Sequence, residues 1–130
     1  MSAQLYVVAT PIGHLDDITY RAIEVLKSVK LIAAEDTRTS AKLLKHFSIN
    51  TPLTACHDHN ESEKVNHLVE RILAGENMAL ISDAGTPLIS DPGFKFVRAA
   101  QAKGIQVIPV PGACAAIAAF YSQASNSSNV

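Results

Sequence analysis

The sequence predicts an open, parallel, five-stranded α/β sheet with helices on both faces. Five short apolar runs recur along the 130 residues, and most lack polar alternation, which is typical of strands buried on both faces. Segments with helical periodicity separate these runs, and strands that alternate with helices favour a parallel sheet with right-handed crossovers. An apolar content of 48% agrees with a packed globular domain.

The strands are predicted at residues 5–9, 31–34, 52–56, 78–82 and 106–110. The helix after the first strand should bury one face, formed by Ile18, Ala22, Val25, Leu26 and Val29. The helix after the third strand should bury Val65, Leu68, Val69, Ile72 and Leu73. Asn60 and Glu63 resemble a capping box at the start of that helix, and Gly75 and Gly104 stand where helices should end.

The length fits one domain, which we assign to residues 1–120, followed by a polar, low-complexity tail at residues 121–130. The formal charge of −1 does not indicate a nucleic-acid-binding domain, so any RNA site should be a local patch. Cys56 and Cys114 have no partner at metal or redox-motif spacing, and we expect free thiols in a reducing cytosol. The chain begins with no signal-peptide pattern and has no apolar run of membrane-spanning length, so we expect a cytoplasmic protein without membrane contact.

Functional residues should lie in the loops that follow the strands. These loops are residues 10–17, 35–39, 57–60, 83–93 and 111–113, and they are dense in glycine, proline and polar residues. In a parallel sheet such loops emerge at one edge, where open α/β folds bind ligands. The turns at the opposite edge are ordinary, and this asymmetry indicates where a binding site should be.

The loop at residues 83–93 is the richest of the five. Gly85 would let the backbone approach a ligand closely, and Pro87 would stiffen the turn. Backbone groups presented in this way suit a nucleoside-like ligand. The alternative is a rigid turn with an Asx cap at Asp83 or Asp91.

The second loop places Glu35, Asp36 and Arg38 directly after a strand. These residues are candidates for contacting a substrate or orienting a reactive hydroxyl. The alternative is a helix N-terminus capped by Asp36 or Thr37, with Arg38 in solvent.

The helix after this loop carries a basic stripe. Arg38, Lys42 and Lys45 stand at i, i+4 and i+7 and therefore share one face. The same spacing places Leu43, Leu44 and Phe47 on other sides of the helix. The stripe could contact RNA phosphates, or it could be an ordinary solvated face.

His57 and His59 lie two residues apart in the third loop. With Asp36 and Asp83 on the same edge a metal site is conceivable, but the sequence fixes no third ligand and we predict no metal. The sequence also lacks the GxxxxGK[ST] phosphate loop, a GxGxxG turn after the first strand and a GxSxG elbow. Their absence argues against nucleotide triphosphate binding, dinucleotide binding and serine-hydrolase chemistry.

Five motifs, in this order and spacing, resemble those of the ribosomal RNA small-subunit methyltransferase I family: VATPIGHLDDIT, AAEDTRTS, HDHNE, LISDAGTPLISDPG and PVPGACAAIAA. The second and fourth motifs are the most specific, and the resemblance covers about residues 4–120. This family comprises 16S ribosomal RNA cytidine-2′-O-methyltransferases within the tetrapyrrole (corrin/porphyrin) methylase superfamily. The first motif departs from the family at His14, because Gly13 is usually followed by asparagine.

The resemblance implies S-adenosylmethionine as the cofactor, bound between this N-terminal domain and a second α/β domain. The implied cofactor-binding residues are Asp83, Gly85, Thr86, Pro87, Leu88, Ile89, Ser90, Pro111, Gly112 and Ala113. The residues that match the substrate side are Thr10, Pro11, Gly13, Glu35, Asp36 and Arg38. With the basic stripe added, the substrate-binding candidates are Thr10, Pro11, Gly13, Arg38, Lys42 and Lys45, and the catalytic candidates are Glu35, Asp36 and Arg38.

The implied function is 2′-O-methylation of a cytidine in 16S ribosomal RNA of the small ribosomal subunit, and we expect a homodimer. The family's second domain is absent from these 130 residues, so we expect the chain to be inactive alone. Two alternatives remain open. One is a non-catalytic interaction or dimerisation module, and the other is a metal-dependent hydrolase that uses His57 and His59.

Overall fold

The computed structural model describes residues 3–10, 15–56, 61–83 and 91–112. In chain order the elements are β1 (Gln4–Thr10), a 3-10 helix (Leu15–Asp17), α1 (Tyr20–Ser28), β2 (Leu31–Ala34), α2 (Thr37–His46), β3 (Leu53–Ala55), α3 (Glu61–Leu73), β4 (Met78–Asp83), α4 (Asp91–Ala102) and β5 (Gln106–Val110). Every predicted strand is present, and a helix precedes each strand after the first. The predicted α/β class is confirmed.

The five strands form one sheet in the order β3-β2-β4-β1-β5, and every neighbouring pair is parallel. All four residues of β2 are buried, as the sequence predicted. The edge strands β3 and β5 are partly exposed. Burial on both faces is therefore wrong for the two edges, because helices cover the middle of a sheet more completely than its margins.

The strand β3 is two residues shorter than the predicted run at 52–56. Its flanking residues still pair with β2. The Ile32 N–H donates to the Pro52 carbonyl at 2.9 Å, and the Cys56 N–H donates to the Ala34 carbonyl at 2.9 Å. The hydrogen-bonded contact with β2 thus extends over the whole predicted run.

Alternate residues of the central strands supply two cores, one on each face of the sheet. On one face, α1 and α2 pack against residues that include Val8 and Ile32. On the other face, α3 and α4 pack against residues that include Leu5 and Ala33. The predicted placement of helices on both faces is confirmed.

Two helices end at glycines, as predicted. Gly75 follows α3 with φ 110° and Gly104 follows α4 with φ 80°, a backbone conformation that other residues rarely adopt.

Beside Gly75, Arg71 donates from Nε and Nη2 to the two Glu76 carboxylate oxygens, at 2.8 and 2.9 Å. This paired guanidinium holds the pKa of Glu76 below its usual value. The predicted capping residue Asn60 lies outside the described residues.

The buried helix faces are largely those that the sequence predicts. The predicted residues that are buried are Ile18, Ala22, Leu26, Val29, Val65, Leu68, Val69 and Ile72. Val25 is partly buried. The prediction for Leu73 is wrong, since 50% of this residue is exposed. It is the last residue of α3 and stands at the margin of the helix face that Leu68 and Ile72 occupy.

Exposed apolar surface is sparse in the described part of the chain. Tyr20, which is 78% exposed, and Leu73 are the exposed large apolar side chains there, and they lie on different helices. Among the described helices, none combines the length and apolarity that crossing a bilayer requires.

Leu68 and Leu73 provide a matched pair of leucines on α3. We expect Leu68→Ala to lower the free energy of unfolding by about 2–5 kcal/mol, because it empties a fully buried site. Leu73→Ala should cost less than about 1 kcal/mol, because half of that residue already contacts water. Urea denaturation of both variants tests the assigned face of α3. Equal losses would contradict it.

Candidate functional site

The carboxyl ends of the strands meet at one edge of the sheet, which we call the rim. Thr10, the last residue of β1, pairs with Asp83, the last residue of β4. Ala34 ends β2 and pairs with Ile81, two residues before Asp83. Val110 ends β5 and pairs with β1 two residues before Thr10. At about 4.8 Å between strands, the exits of β2, β4, β1 and β5 lie within about 14 Å of one another.

The exits of β2 and β4 diverge from each other. After β2 the chain enters α2, whose Leu43 belongs to the core on one face. After β4 it enters α4, whose Phe96 belongs to the core on the other face. Neighbouring parallel strands whose following helices leave toward opposite faces are expected to form a crevice between their exit loops, and ligands bind there in open α/β folds. The pairs β4 and β1, and β3 and β2, meet the same criterion, because α1 packs on the face of α2 and α3 packs on the face of α4. The structure therefore places Glu35 and Asp36 on one side of the crevice between β2 and β4, and Asp83 on the other.

Asp36 caps the N-terminus of α2. Its Oδ1 accepts hydrogen bonds from the N–H groups of Arg38, at 3.0 Å, and Thr39, at 3.4 Å. Its Oδ2 accepts the hydroxyl of Thr39 at 3.0 Å. These contacts satisfy donors that have no partner within the helix. Of the two interpretations that the sequence left open for Asp36, the structure supports capping.

The cap also changes the acidity of Asp36. The hydroxyl and N–H of Thr39, with the N–H and positive charge of Arg38, hold the pKa of Asp36 below its usual value of 3.8. A carboxylate that is stabilised in this way is a weaker proton acceptor. Asp36 is therefore suited to fixing the start of α2 at the rim, and less suited to removing a proton from a hydroxyl.

Glu35 and Arg38, the other two catalytic candidates, are both exposed at the rim. Glu35 makes no hydrogen bond or salt bridge with any described residue. Arg38 also forms no salt bridge with a described residue, although its charge contributes to the low pKa of Asp36. Both side chains are thus open to a substrate. The stripe residues Lys42 and Lys45 are exposed as well, along the outer side of α2.

The exit of β5 brings backbone close to β1. Pro111 is exposed and Gly112 is half-buried. A Cβ built on Gly112 would lie 3.8 Å from the Cβ of Ala9, so this backbone rests against the end of β1. The Gly112 N–H donates to no described residue. Thr10 lies beside it, half-buried at the end of β1.

Several predicted site residues lie outside the described residues. They are Pro11, Gly13, Gly85, Thr86, Pro87, Leu88, Ile89, Ser90 and Ala113. His57 and His59 also lie outside, and among the described residues no cluster of three potential metal ligands occurs. Of Asp83, the structure describes the backbone. Cys56 is buried and forms no disulfide within the described residues, and Cys114 lies outside them.

Thr39 supports the helix cap at the rim, and the sequence reasoning assigned it no role. It supplies both a hydroxyl and an N–H to Asp36. The available signal was the spacing, since a residue three positions after an N-cap commonly completes a reciprocal cap.

The match to a known family decides what kind of α/β protein this is. Residues 4–124 match the family Tetrapyrrole (Corrin/Porphyrin) Methylases. The chain belongs to the tetrapyrrole methylase family. The resemblance carried by the five motifs is thereby confirmed at the level of this family.

Among curated proteins, the chain is similar to tetrapyrrole methylases that are named Ribosomal RNA small subunit methyltransferase I. The proteins from Pseudomonas aeruginosa, Haemophilus influenzae and Escherichia coli O157:H7 are 65%, 64% and 60% identical to it. The matches cover 89%, 89% and 90% of this chain and 41% of each relative. The chain thus spans about two fifths of the length of these relatives.

Solved tetrapyrrole methylases share the fold at low sequence identity. Cobalt precorrin-4 methyltransferase matches with a TM-score of 0.70 at 16% identity, over 84% of this chain and 45% of its own. Uroporphyrin-III-C-methyltransferase from Thermus thermophilus matches with a TM-score of 0.67 at 18% identity, over 86% and 48%. These likenesses concern the fold, and they confirm the predicted sheet architecture.

The cap predicts a pH-dependent contribution of Asp36 to stability. Because folding lowers the pKa of Asp36, this contribution is present above the usual value of 3.8 and is lost as pH falls through the lowered value. We expect Asp36→Ala to lower the melting temperature at neutral pH, and Asp36→Asn to lower it less, because asparagine also caps helices well. The difference in melting temperature between wild type and Asp36→Ala should become smaller in acid.

Glu35→Ala is the matched control, since it removes the adjacent exposed carboxylate without removing a described contact. Melting curves of wild type and the three variants, recorded at neutral pH and at a pH well below 3.8, measure the effect. If the difference in melting temperature between wild type and Asp36→Ala is the same at both pH values, the carboxylate is not the cap.

Proposed function

We propose that the protein is an S-adenosylmethionine-dependent methyltransferase that acts on the ribose 2′-hydroxyl of a cytidine in 16S ribosomal RNA. The observation that carries the proposal is the crevice between the exits of β2 and β4, in a chain 60–65% identical to three proteins named Ribosomal RNA small subunit methyltransferase I. The relatives' name supports the substrate class. The fold supports the rim as the place where a nucleoside-containing cofactor binds.

The described part of the rim fits S-adenosylmethionine, which supplies a methyl group on a positively charged sulfur. The N–H of Gly112 suits the acceptor atoms of an adenosine or a carboxylate. The carboxylates Glu35 and Asp36 suit a cationic group nearby. Pro111, Gly112 and Asp83 are the described members of the proposed cofactor site, and the residues at 85–90 and Ala113 would complete it.

The main task of the protein in such a transfer is alignment. Holding the ribose oxygen in line with the methyl group can supply about 7–11 kcal/mol of the barrier. We assign Arg38 to a substrate phosphate, which its guanidinium can hold through two parallel hydrogen bonds. Asp36 would position Arg38 indirectly, because it caps the helix turn on which Arg38 stands.

Glu35 is our candidate for the group that accepts the hydroxyl proton. It lies one residue from Asp36, but its oxygens make no hydrogen bond to any described residue. Asp36 is the weaker choice because three donors engage it and its pKa is lowered. This assignment separates the proton acceptor from the residue that fixes the helix.

Methyl transfer from labelled S-adenosylmethionine to small ribosomal subunits that lack the modification tests the function. We expect the intact protein to label 16S ribosomal RNA, and nuclease digestion to recover the label as 2′-O-methylcytidine. Label in protein, or in a base rather than a ribose, would refute the proposal.

In the same assay, Glu35→Gln and Asp36→Asn should differ. Loss of a general base typically costs about 10²-fold or more in kcat, and we expect a loss of that size for Glu35→Gln. Asp36→Asn should retain most of kcat, because asparagine can still cap α2. The opposite order would make Asp36 the proton acceptor.

Gly112→Ala probes the cofactor site without disturbing the fold. A Cβ there has ordinary contact distance to Ala9, so stability should be unchanged or higher by about 0.4–1 kcal/mol. Alanine keeps the backbone N–H, but its methyl group would hold a closely approaching ligand away from it. We therefore expect the affinity for S-adenosylmethionine, measured by calorimetry, to fall about tenfold, as for one weakened hydrogen bond. Gly75→Ala is the reciprocal control. It should cost about 1 kcal/mol of stability because of its positive φ, and it should leave cofactor affinity unchanged.

We also propose that the protein is a homodimer in the cytoplasm. In the described residues, Tyr20 and Leu73 are isolated from each other and form no continuous apolar surface for a partner. A dimer interface would therefore have to involve other residues. Light scattering of the intact protein measures the mass, and a monomer would contradict this part of the proposal.

A further inference from the structure

The charges of α2 differ from those of the chain as a whole. The chain has 11 lysines and arginines, 12 acidic residues and a formal charge of −1. The helix α2 holds three of the basic residues, Arg38, Lys42 and Lys45, and none of the acidic ones. Each of the other three helices contains at least one aspartate or glutamate. Each of the other helices carries two basic residues together with its acidic ones, so α2 has the most positive net charge of the four helices.

The three basic residues form a narrow line on the outer side of α2. At 3.6 residues per turn, they fall within an arc of about 60°, and Arg38 and Lys45 lie about 10 Å apart along the axis. The buried residues Ser40, Leu43 and Leu44 occupy the opposite side, against the sheet. The stripe therefore points away from the core and into solvent.

The described part of the fold does not neutralise the two lysines of this stripe. Lys42 and Lys45 make no hydrogen bond or salt bridge with any described residue. Like charges at i+3 and i+4 spacing repel each other, and a cation near a helix N-terminus, as Arg38 is, opposes the helix dipole. By contrast, the next basic group on α2, His46, has Asp16 at 3.1 Å. The repulsion among these positive charges raises the free energy of the free protein. A bound polyanion would lower that free energy.

The stripe begins at the proposed reaction site. Its first residue, Arg38, stands in the first turn of α2, directly after the crevice residue Asp36. We propose that the outer side of α2 is a track for RNA phosphates, in which Lys42 and Lys45 extend the contact of Arg38 away from the crevice. The choice of RNA as the polyanion rests on the proposed function. The track would bind the backbone of the nucleotides that flank the reacting one, and it would read no bases.

The test compares two variants with the same change in charge. In Lys42→Gln/Lys45→Gln the track is removed and Arg38 is kept. In Lys27→Gln/Lys103→Gln, two exposed lysines at helix ends near the opposite edge of the sheet are replaced. The intact protein is titrated into fluorescein-labelled single-stranded ribosomal RNA at several salt concentrations without a methyl donor, and anisotropy gives the affinity.

For the track variant we expect RNA affinity to fall about three- to thirtyfold at low salt, as for two exposed ionic contacts. The slope of log affinity against log salt should become shallower by about 1.4, because each phosphate contact contributes about 0.7 on single strands. The control variant should keep the wild-type slope. The track variant should melt at the wild-type temperature or higher, because repulsion has been removed.

Equal slopes for wild type and the track variant would overturn the proposal, and so would absence of RNA binding by the wild type. A lower melting temperature with weaker binding would also overturn it, since the lysines would then act through folding. Weaker binding of whole small subunits with unchanged binding of naked RNA would identify a protein partner and refute the choice of RNA. The wild-type protein could fail to transfer methyl groups while the track variant still shows a shallower salt dependence than the wild type. That result would refute the proposed function and leave the proposal of the track intact.

Discussion

The pairing of β1 with both β4 and β5 is the interaction on which the site depends. It joins the start of the chain to strands that lie far along the sequence, and the Gln4 N–H donates to the Asn77 side chain across 73 positions at 2.8 Å. Strand side chains alternate between faces, so a slip of one residue would move the buried side of β1 into the wrong core. The same slip would separate Thr10 from Asp83. Packing of the two cores thus fixes the register, and the register fixes which loop residues meet at the rim.

At Asp36, helix capping and proton acceptance would make different demands on the same carboxylate. The position after β2 needs an acceptor for the free N–H groups of α2, and the proposed reaction needs a carboxylate at the same place. Capping and proton acceptance compete, because each hydrogen bond to the carboxylate lowers its basicity. The adjacent Glu35 resolves the competition, since it offers a second carboxylate without these contacts. Two neighbouring acidic residues at a strand exit can therefore have separate roles.

The sequence predicted the elements well and their arrangement only in part. Apolar runs and helical periodicity located the strands and helices, because burial imposes these patterns locally. The pattern could not identify β3 and β5 as the partly exposed edges, since strand order depends on contacts between distant segments. Leu73 was placed in the core because periodicity does not reveal where a helix reaches the margin of the sheet. The motif resemblance was needed to choose among ligands, because glycines and carboxylates at a rim suit many of them.

The stability of α2 explains how the basic stripe is tolerated. Each repelling pair on a helix surface costs only about 0.2–0.5 kcal/mol. The buried side chains Leu43 and Leu44 each contribute about 1.5–3 kcal/mol when they leave water, so packing outweighs the repulsion. The inner side of α2 therefore determines whether the helix forms, and the outer side is free to carry charges that serve a ligand. The formal charge of the whole chain gave no sign of the proposed RNA-binding surface, because acidic residues elsewhere in the sequence balance the stripe.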